Sequence, residues 1–436
     1  MVKKCILVLL DGLGDRSYAQ LGGRTPLQAA KTPHLDRLAR NGSNGLYHAG
    51  RLGQALPSEN AHFLMFGYDM DEFPGRGALE ALGMGIDLAR EDVAILSHVV
   101  SVEKSGHHLI LAEGKPTVTD HEMALLTETF SSFESDAMRI RFHPAGWIRG
   151  VLTIHGGASR FITDSDPFIH GRPLVSVVPW DAYRTDTSAI RTARVLTAYL
   201  IHVYRKLDTH PLNAERKMNG QLPVNALVTQ RAGQLQRALP FTQKYGLKGL
   251  TMASGAVYQG LGKYIGMDTK KVQDSGNPGK DLAERLEMAL GQLDSYDFIH
   301  IHTKTPDEAA HQKNPVIKKE VIESLDQGIA EGIHPFLENP EVLTIITADH
   351  STPSGGPLIH SGESVPLLLH GRGVRKDSVE HFDEISAATG AMGDLRGKEL
   401  MYVILNCLDR VKLHGIMDTP YDQPYWPGNY EPFKVE

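Results

Sequence analysis

Two stretches in the last third of the chain gather carboxylates and imidazoles. In HIHTKTPDEAAHQKNP (300–315), Asp307 and His311 stand four residues apart. In TADHSTPSGGPLIHSGE (347–363), Asp349 and His350 are adjacent and His360 follows in a glycine-rich loop. If a helix begins near Pro306, the side chains at i and i+4 share one face and can hold one ion. Taken alone, that pair also reads as a capping aspartate and a surface histidine. Asp349-His350 shifts the balance. The pair ends the apolar run VLTIIT, where burying a carboxylate and an imidazole unpaired would be costly and a dication would partner both. Asp11 ends a second such run, CILVLL. Aspartate and histidine without cysteine suit Mn²⁺ or Zn²⁺ better than a structural zinc site. The set exceeds what one ion needs. Two ions a few ångströms apart would use it all, and such pairs serve phosphoryl transfer.

A site of this kind often uses a hydroxyl nucleophile. LPSENAHFLMFGYDM (56–70) places Ser58 after Pro57 at the start of a helical pattern. A plain N-cap serine is the ordinary reading. The functional reading adds that a helix start favours an anionic phosphate and that a nearby cation lowers a hydroxyl pKa. The two readings are compatible.

The elements that must position these residues follow from periodicity. CILVLL, DFIHIH, VLTIIT and VPLLLHG are short and apolar, as strands buried on both faces are. Helical patterns at Asp281–Leu293 and Lys318–Leu337 lie between them. The alternation predicts an α/β fold, a mostly parallel sheet with helices on both faces, whose ligand site lies beyond the carboxyl ends of the strands. Residues 94–180 differ in texture. AILSHVVSVEKSGHHLILAE and MRIRFHPAGWIRGVLTIHGG each read as a strand pair, and TDHEMALLTETFSSF reads as a helix capped by Thr119 or Asp120. A small inserted α+β domain over 94–180, interrupting a catalytic core of 1–93 and 181–436, is the expected organisation.

Composition excludes several classes. The chain has 436 residues, 41% hydrophobic and 22% charged, with net charge −7 and no long basic run, so nucleic acid is not the expected partner. Two cysteines give no disulfide framework and suggest a reducing compartment. The apolar run after the two N-terminal lysines is too short for a secretion signal, and no stretch approaches a membrane span. A cytoplasmic protein acting on a small metabolite is expected. The tail MDTPYDQPYWPGNYEPFKVE is expected to lie extended on the protein surface or on a neighbouring subunit of a homo-oligomer.

The motifs ILVLLDGLGDR, TPLQAAKTPHLDRLARNG, PSENAHFLMFGYD, GRGALEALGMGIDL, KTPDEAAH, TADHSTP and HSGESVPLLLHG occur in order over most of the chain. Together they resemble cofactor-independent phosphoglycerate mutase of the archaeal type, within the alkaline phosphatase superfamily. The resemblance implies that Asp11, Asp349 and His350 hold one Mn²⁺ or Zn²⁺, and that Asp307, His311 and His360 hold the other. Ser58 would lie between the two, counting among their ligands, and would become phosphoserine. The phosphate would then pass to the neighbouring hydroxyl of the retained product. Arg149 and Arg231 stand where the family has arginines, and Arg76 and Lys304 are further substrate-binding candidates. Departures fall on the substrate side. SENAH replaces the usual Ser-Asp-Thr-Ala-His, LSHVVSV and LILAEGK stand where arginine-bearing motifs are expected, SDPF replaces Asp-Pro-His, and Gln259 stands where a lysine is usual. Alternatives are a phosphohydrolase, a mutase for another phosphorylated or phosphonate metabolite, and, from another class, a non-catalytic metal-bound scaffold.

Overall fold

The computed structural model describes residues 3–420, 422–428 and 430–435. The chain divides into two compact units, Met1–Phe73 with Ala238–Glu436, and Pro74–Arg237. Its strands are β1 (Lys4–Leu10), β2 (Ser43–His48), β3 (Val93–Ser105), β4 (His108–Glu113), β5 (Ser132–Ser135), β6 (Met138–Pro144) and β7 (Arg149–His155). They continue with β8 (Ala226–Gln234), β9 (Gly249–Ala253), β10 (Asp268–Lys271), β11 (Phe298–Thr303), β12 (Val342–Thr347), β13 (Val365–His370) and β14 (Gly393–Arg396). The helices that matter below are α1 (Ser58–Met65), α2 (Thr187–Asp208), α3 (Ala256–Tyr264), α4 (Pro278–Leu290), α5 (Thr305–His311) and α6 (Pro315–Gly332).

The first unit is built on an eight-stranded sheet in the order β10-β9-β11-β1-β12-β13-β2-β14. The strands β10, β9, β11, β1 and β12 run parallel, in register such as Leu7 opposite His300 and Leu7 opposite Ile345. Cys5–Leu10 and all of β12 are buried, as continuous Ile/Leu/Val runs covered on both faces must be. VPLLLHG forms β13, but it pairs antiparallel with both β12 and β2. The segment joining β12 to β13 contains no crossover helix, and a parallel return requires one. Helices α4 and α6 pack with their backbones close together. A Cβ on Gly279 would meet Ser324 O at 2.3 Å, and one on Gly328 would meet Gly279 O at 2.3 Å. Glycine at both crossings lets Leu282, Leu286, Ile322 and Leu325 bury fully, each worth roughly 1.5–3 kcal/mol.

The second unit is an antiparallel sheet in the order β4-β3-β7-β6-β5, with β8 also paired to β3. Both expected strand pairs are present, and the expected helix runs Asp120–Glu128 with Thr119 as its cap in a reciprocal capping box with Glu122. The unit is wider than the predicted 94–180. Leu196, Tyr199 and Val203 of α2 lie in one core with Ile95, Ile140 and Leu152. Strand β8 supplies a long partner to β3 from more than a hundred residues downstream. Neither feature has a local signature: α2 reads as any amphipathic helix, and the partner of β8 is too distant in sequence to be inferred.

The C-terminal tail forms no long element among the described residues, yet it is anchored. Tyr425 is buried, Trp426 N donates to Arg410 O at 2.7 Å, and Lys412 N donates to Pro424 O at 2.9 Å. Trp426, Phe433 and Val435 remain exposed.

Candidate metal centre

Strands β11, β1 and β12 are neighbours, parallel, and end on the same side. Asp11 follows β1 directly, Asp349 and His350 follow β12, and Asp307 lies in the first turn of α5, just after β11. Parallel strands thus bring three distant segments to one edge, where sheets of this kind bind ligands. Gly12 makes the approach possible. Its φ is +67°, and a Cβ there would meet Thr352 Oγ1 at 2.6 Å and Asp307 Cβ at 2.7 Å.

Potential ligand atoms converge in two groups, Asp11/Asp349/His350 and Asp307/His350/His360, each with its atoms within 4.8 Å of one another. His350 is common to both, whereas the resemblance assigns it to the first alone. His311 Nε2 lies 3.2 Å from Asp307 Oδ2, and His360 Nε2 lies 3.4 Å from Asp307 Oδ1. The expected i, i+4 pair therefore shares a face, with Asp307 between two imidazoles.

Each buried carboxylate commits one oxygen to the protein and leaves the other without a hydrogen bond. Asp11 Oδ2 accepts from Tyr258 OH at 2.7 Å and from His302 Nε2 at 2.9 Å, while Oδ1 has no donor. Asp349 Oδ1 accepts from the backbone N–H groups of Gly12 and His350, while Oδ2 has none. Asp307 Oδ1 accepts from Thr352 Oγ1 at 2.7 Å, while Oδ2 makes no hydrogen bond and has only the ion-pair neighbours His311 and Lys304 beside it, at 3.2 and 3.3 Å. Orphan acceptors are rare and costly in a protein interior. Three of them, anionic and clustered, fit divalent cations.

The imidazoles are oriented to match. Thr352 Oγ1 gives its proton to Asp307, so at 3.1 Å it accepts from His350 Nδ1. That leaves the lone pair of His350 on Nε2, 3.0 Å from Ser58 Oγ. Leu56 O accepts from His360 Nδ1 at 2.7 Å, which turns the lone pair of His360 to Nε2 as well. Such outer partners fix tautomer and ring direction at metal sites.

Ser58 is the first helical residue of α1, with Pro57 as the cap, and its side chain makes no capping bond. The ordinary reading of Ser58 as an N-cap is therefore replaced: its hydroxyl is free to face His350. Lys304 joins the site, with Nζ 3.3 Å from Asp307 Oδ2 and 3.3 Å from Tyr258 OH. Burial alone would raise the Asp11 carboxyl. The Lys304 charge and the His302 hydrogen bond overcome it and hold Asp11 well below the usual range. Asp307 is likewise held low against burial, by His311, His360 and Lys304. Burial would lower Lys304, but Asp11 and Asp307 outweigh it and keep the ammonium charged.

The remaining candidates lie in the second unit. Arg149 opens β7 opposite His98, whose imidazole is lowered by burial against the pull of Asp166 and with the push of Arg149. Arg76 pairs with Glu80 at 3.2 Å, one turn along its helix. Arg231 sits at φ +54° with its N–H on Asp164 Oδ1 at 2.7 Å. Gln259, read as a lost substrate cation, is buried and donates to the backbone carbonyls of Ala253 and Lys270. It ties β9 to β10, so its amide serves the fold.

Sequence reasoning missed His62, His302, Tyr258 and Thr352. His62 lies one turn after Ser58, donates to Ser58 O at 2.8 Å, and sits 3.3 Å from Asp349 Oδ2. The spacing from Ser58 and the alternation in HIHT were available signals for the two histidines. Tyr258 had none.

Fold and site together define an α/β protein built to hold divalent cations at the carboxyl ends of its central strands. The metalloenzyme superfamily matches residues 3–407. The chain is 40% identical to 2,3-bisphosphoglycerate-independent phosphoglycerate mutase 2 of Methanocaldococcus jannaschii, covering 98% of each chain. It is 35% identical to the corresponding mutase of Methanopyrus kandleri, over 95% of this chain and 98% of that one. The solved cofactor-independent phosphoglycerate mutase of Thermoplasma acidophilum superposes with a TM-score of 0.65 at 30% identity, over 93% of this chain and all of the other. The chain belongs to the metalloenzyme superfamily and, within it, to the 2,3-bisphosphoglycerate-independent phosphoglycerate mutase family. Among the described residues no helix is long and apolar enough to cross a membrane.

Proposed function

We propose that the protein interconverts 2- and 3-phosphoglycerate through a phosphoserine at Ser58. The observation that carries this reading is the Ser58 hydroxyl, buried at a helix start and 3.0 Å from His350 Nε2, beside three buried carboxylate oxygens that make no hydrogen bond. Asp11, Asp349 and His350 would hold one Mn²⁺ or Zn²⁺ and Asp307, His311 and His360 the other. When bound, the ions would neutralise phosphoryl charge and lower the hydroxyl pKa. Ser58 Oγ gives up its proton and bonds to phosphorus as the ester P–O bond breaks, and the departing oxygen takes up a proton. The vicinal hydroxyl of the retained glycerate then gives up its proton and bonds to the same phosphorus as the Ser58 Oγ–P bond breaks, and Ser58 Oγ takes up a proton and is regenerated. The Lys304 ammonium, partly open to solvent, supplies positive charge for the substrate anion.

The test is phosphorus NMR of 3-phosphoglycerate incubated with Mn²⁺- or Zn²⁺-loaded protein. Appearance of 2-phosphoglycerate supports the proposal. Release of inorganic phosphate instead would make the protein a hydrolase, and no reaction with either metal would remove the assignment.

A further inference from the structure

Tyr258 is fully buried in the first turn of α3, which follows β9. Its ring lies between two imidazoles, 3.9 Å from His302 and 4.9 Å from His62 between centroids. Gly255 makes room for it, since a Cβ there would meet the Tyr258 ring at 3.0 Å. A side chain wedged in this way has little rotamer freedom, so its hydroxyl is held in one place. That hydroxyl donates to Asp11 Oδ2 at 2.7 Å and is itself approached by Lys304 Nζ at 3.3 Å, with the Ser58 hydroxyl as a further polar neighbour.

A buried tyrosine that satisfies its hydroxyl on the nearest acceptor would be unremarked in a core. Here the acceptor oxygen already has a second donor, His302 Nε2. Two donors on Oδ2 occupy the directions a bidentate cation would need, and they turn the carboxylate so that Oδ1 alone faces the centre. Resting on the two-ion reading above, we infer that Tyr258 is a positioning residue: with His302 it locks Asp11 into single-oxygen coordination and so sets the affinity of the ion at Asp11, Asp349 and His350. The other group is held from elsewhere, Asp307 by Thr352 and His360 by Leu56 O. Its links to Tyr258 among the described contacts are indirect, through Lys304, which also touches Asp307, and through Ser58, which faces the shared His350.

The experiment is a Mn²⁺ titration of full-length, metal-stripped protein, with heat and free-Mn²⁺ electron paramagnetic resonance recorded together, on wild type and Tyr258→Phe. The expected result is two binding steps in the wild type. In the variant one step should weaken roughly 10- to 100-fold, the range for losing an outer partner of a metal ligand, while the other stays within about twofold. Raising Mn²⁺ should restore kcat in the variant, with KM for 3-phosphoglycerate nearly unchanged. A purely structural tyrosine would lower the melting temperature of the metal-stripped protein and leave both steps where they were, which would overturn the inference. Equal weakening of both steps would overturn it too. If Tyr258→Phe does not fold, His302→Leu removes the other donor to the same oxygen and must move the same step. Wild-type protein that binds no second ion removes the two-ion reading and this inference with it. Two ions in the wild type with an unchanged variant remove only this inference.

Discussion

The two ligand groups meet at His350 but are built from different material. Asp11, Asp349 and His350 directly follow the central strands β1 and β12, and all three side chains are almost completely buried. Beneath them Lys318, fully buried, donates to Gly14 O, Asp15 Oδ2 and Thr352 O, clamping the loops after both strands. The other group takes Asp307 from a seven-residue helix and His360 from a glycine-rich loop, with the proposed ligand His311 one turn along the same helix. The His311 side chain is 37% exposed. A strand end in the middle of a sheet cannot shift without disturbing its neighbours, whereas a short helix and a loop can. The inner group should bind its ion tightly and exchange it slowly; the outer group should bind more weakly and be stripped first by a chelator.

The largest effect tests whether the two groups form one site. Ser58→Ala removes one hydroxyl and no capping bond. Turnover should fall on the order of 10³-fold or more, as for other deleted nucleophiles, while both ions remain by elemental analysis. Activity above a few per cent of wild type would mean that water attacks and that the two groups act without a shared nucleophile.

The brace under the inner group offers the next effect. Glu384 accepts from Asp15 N at 3.1 Å and Thr25 Oγ1 at 2.7 Å, and burial pushes its carboxyl up to about 7. A carboxyl raised on folding stabilises the protein fully below its unfolded value. That stability is lost as pH rises through the folded value. From the ordinary 4.5 to about 7 the loss is about 3 kcal/mol. Melting temperature should therefore fall between pH 4.5 and 7 by more in the wild type than in Glu384→Gln, and the gap should stay constant above pH 7. Parallel curves would show that Glu384 is not buried in solution and that the inner brace is looser than described.

The inner group was the more legible half in the sequence for the same reason that it is rigid. Apolar runs that stop at Asp11 and at Asp349-His350 announce strand ends, and parallel strands fix where those ends meet. Asp307 and His311 were legible as a helical pair, although their partner His360 depended on a loop whose path periodicity does not describe. The sharing of His350 was invisible, because it follows from ångström distances and not from residue type. Tyr258 and Thr352 were invisible because their role is a hydroxyl's direction. The width of the second unit was missed because β8 and α2 belong to it through contacts with residues far upstream in the chain.

The outer group can be weakened by itself. His311→Ala removes one partly exposed proposed ligand and leaves Asp307, His360 and the whole inner group in place. Because the helix can adjust and water can take the vacated position, the outer Mn²⁺ should bind on the order of 10-fold more weakly, with the inner step unmoved. Isothermal titration of the metal-stripped variant reads both steps. A shift in the inner step would show that the groups are coupled through more than His350.

The smallest effect falls where the groups meet. Thr352 Oγ1 donates to Asp307 and accepts from His350 Nδ1, so one hydroxyl orients a ligand of each group. Thr352→Val keeps the shape and deletes both bonds. Each neutral or charge-assisted bond of this kind is worth about 1 kcal/mol, or slightly more to a carboxylate, which corresponds to a few-fold to tenfold in affinity. Both binding steps should therefore weaken together by that factor. Among the described residues, Asp307 Oδ1 keeps only the His360 imidazole, at 3.4 Å, and Asp307 should lose the more. The His350 ring is also held by its stacking on His360 at 3.9 Å, so the inner step should move less. If instead only the inner step shifts, the tautomer of His350 matters more than the anchoring of Asp307, and the inner group owes its tightness to one proton on Nδ1 and less to the strands beneath it.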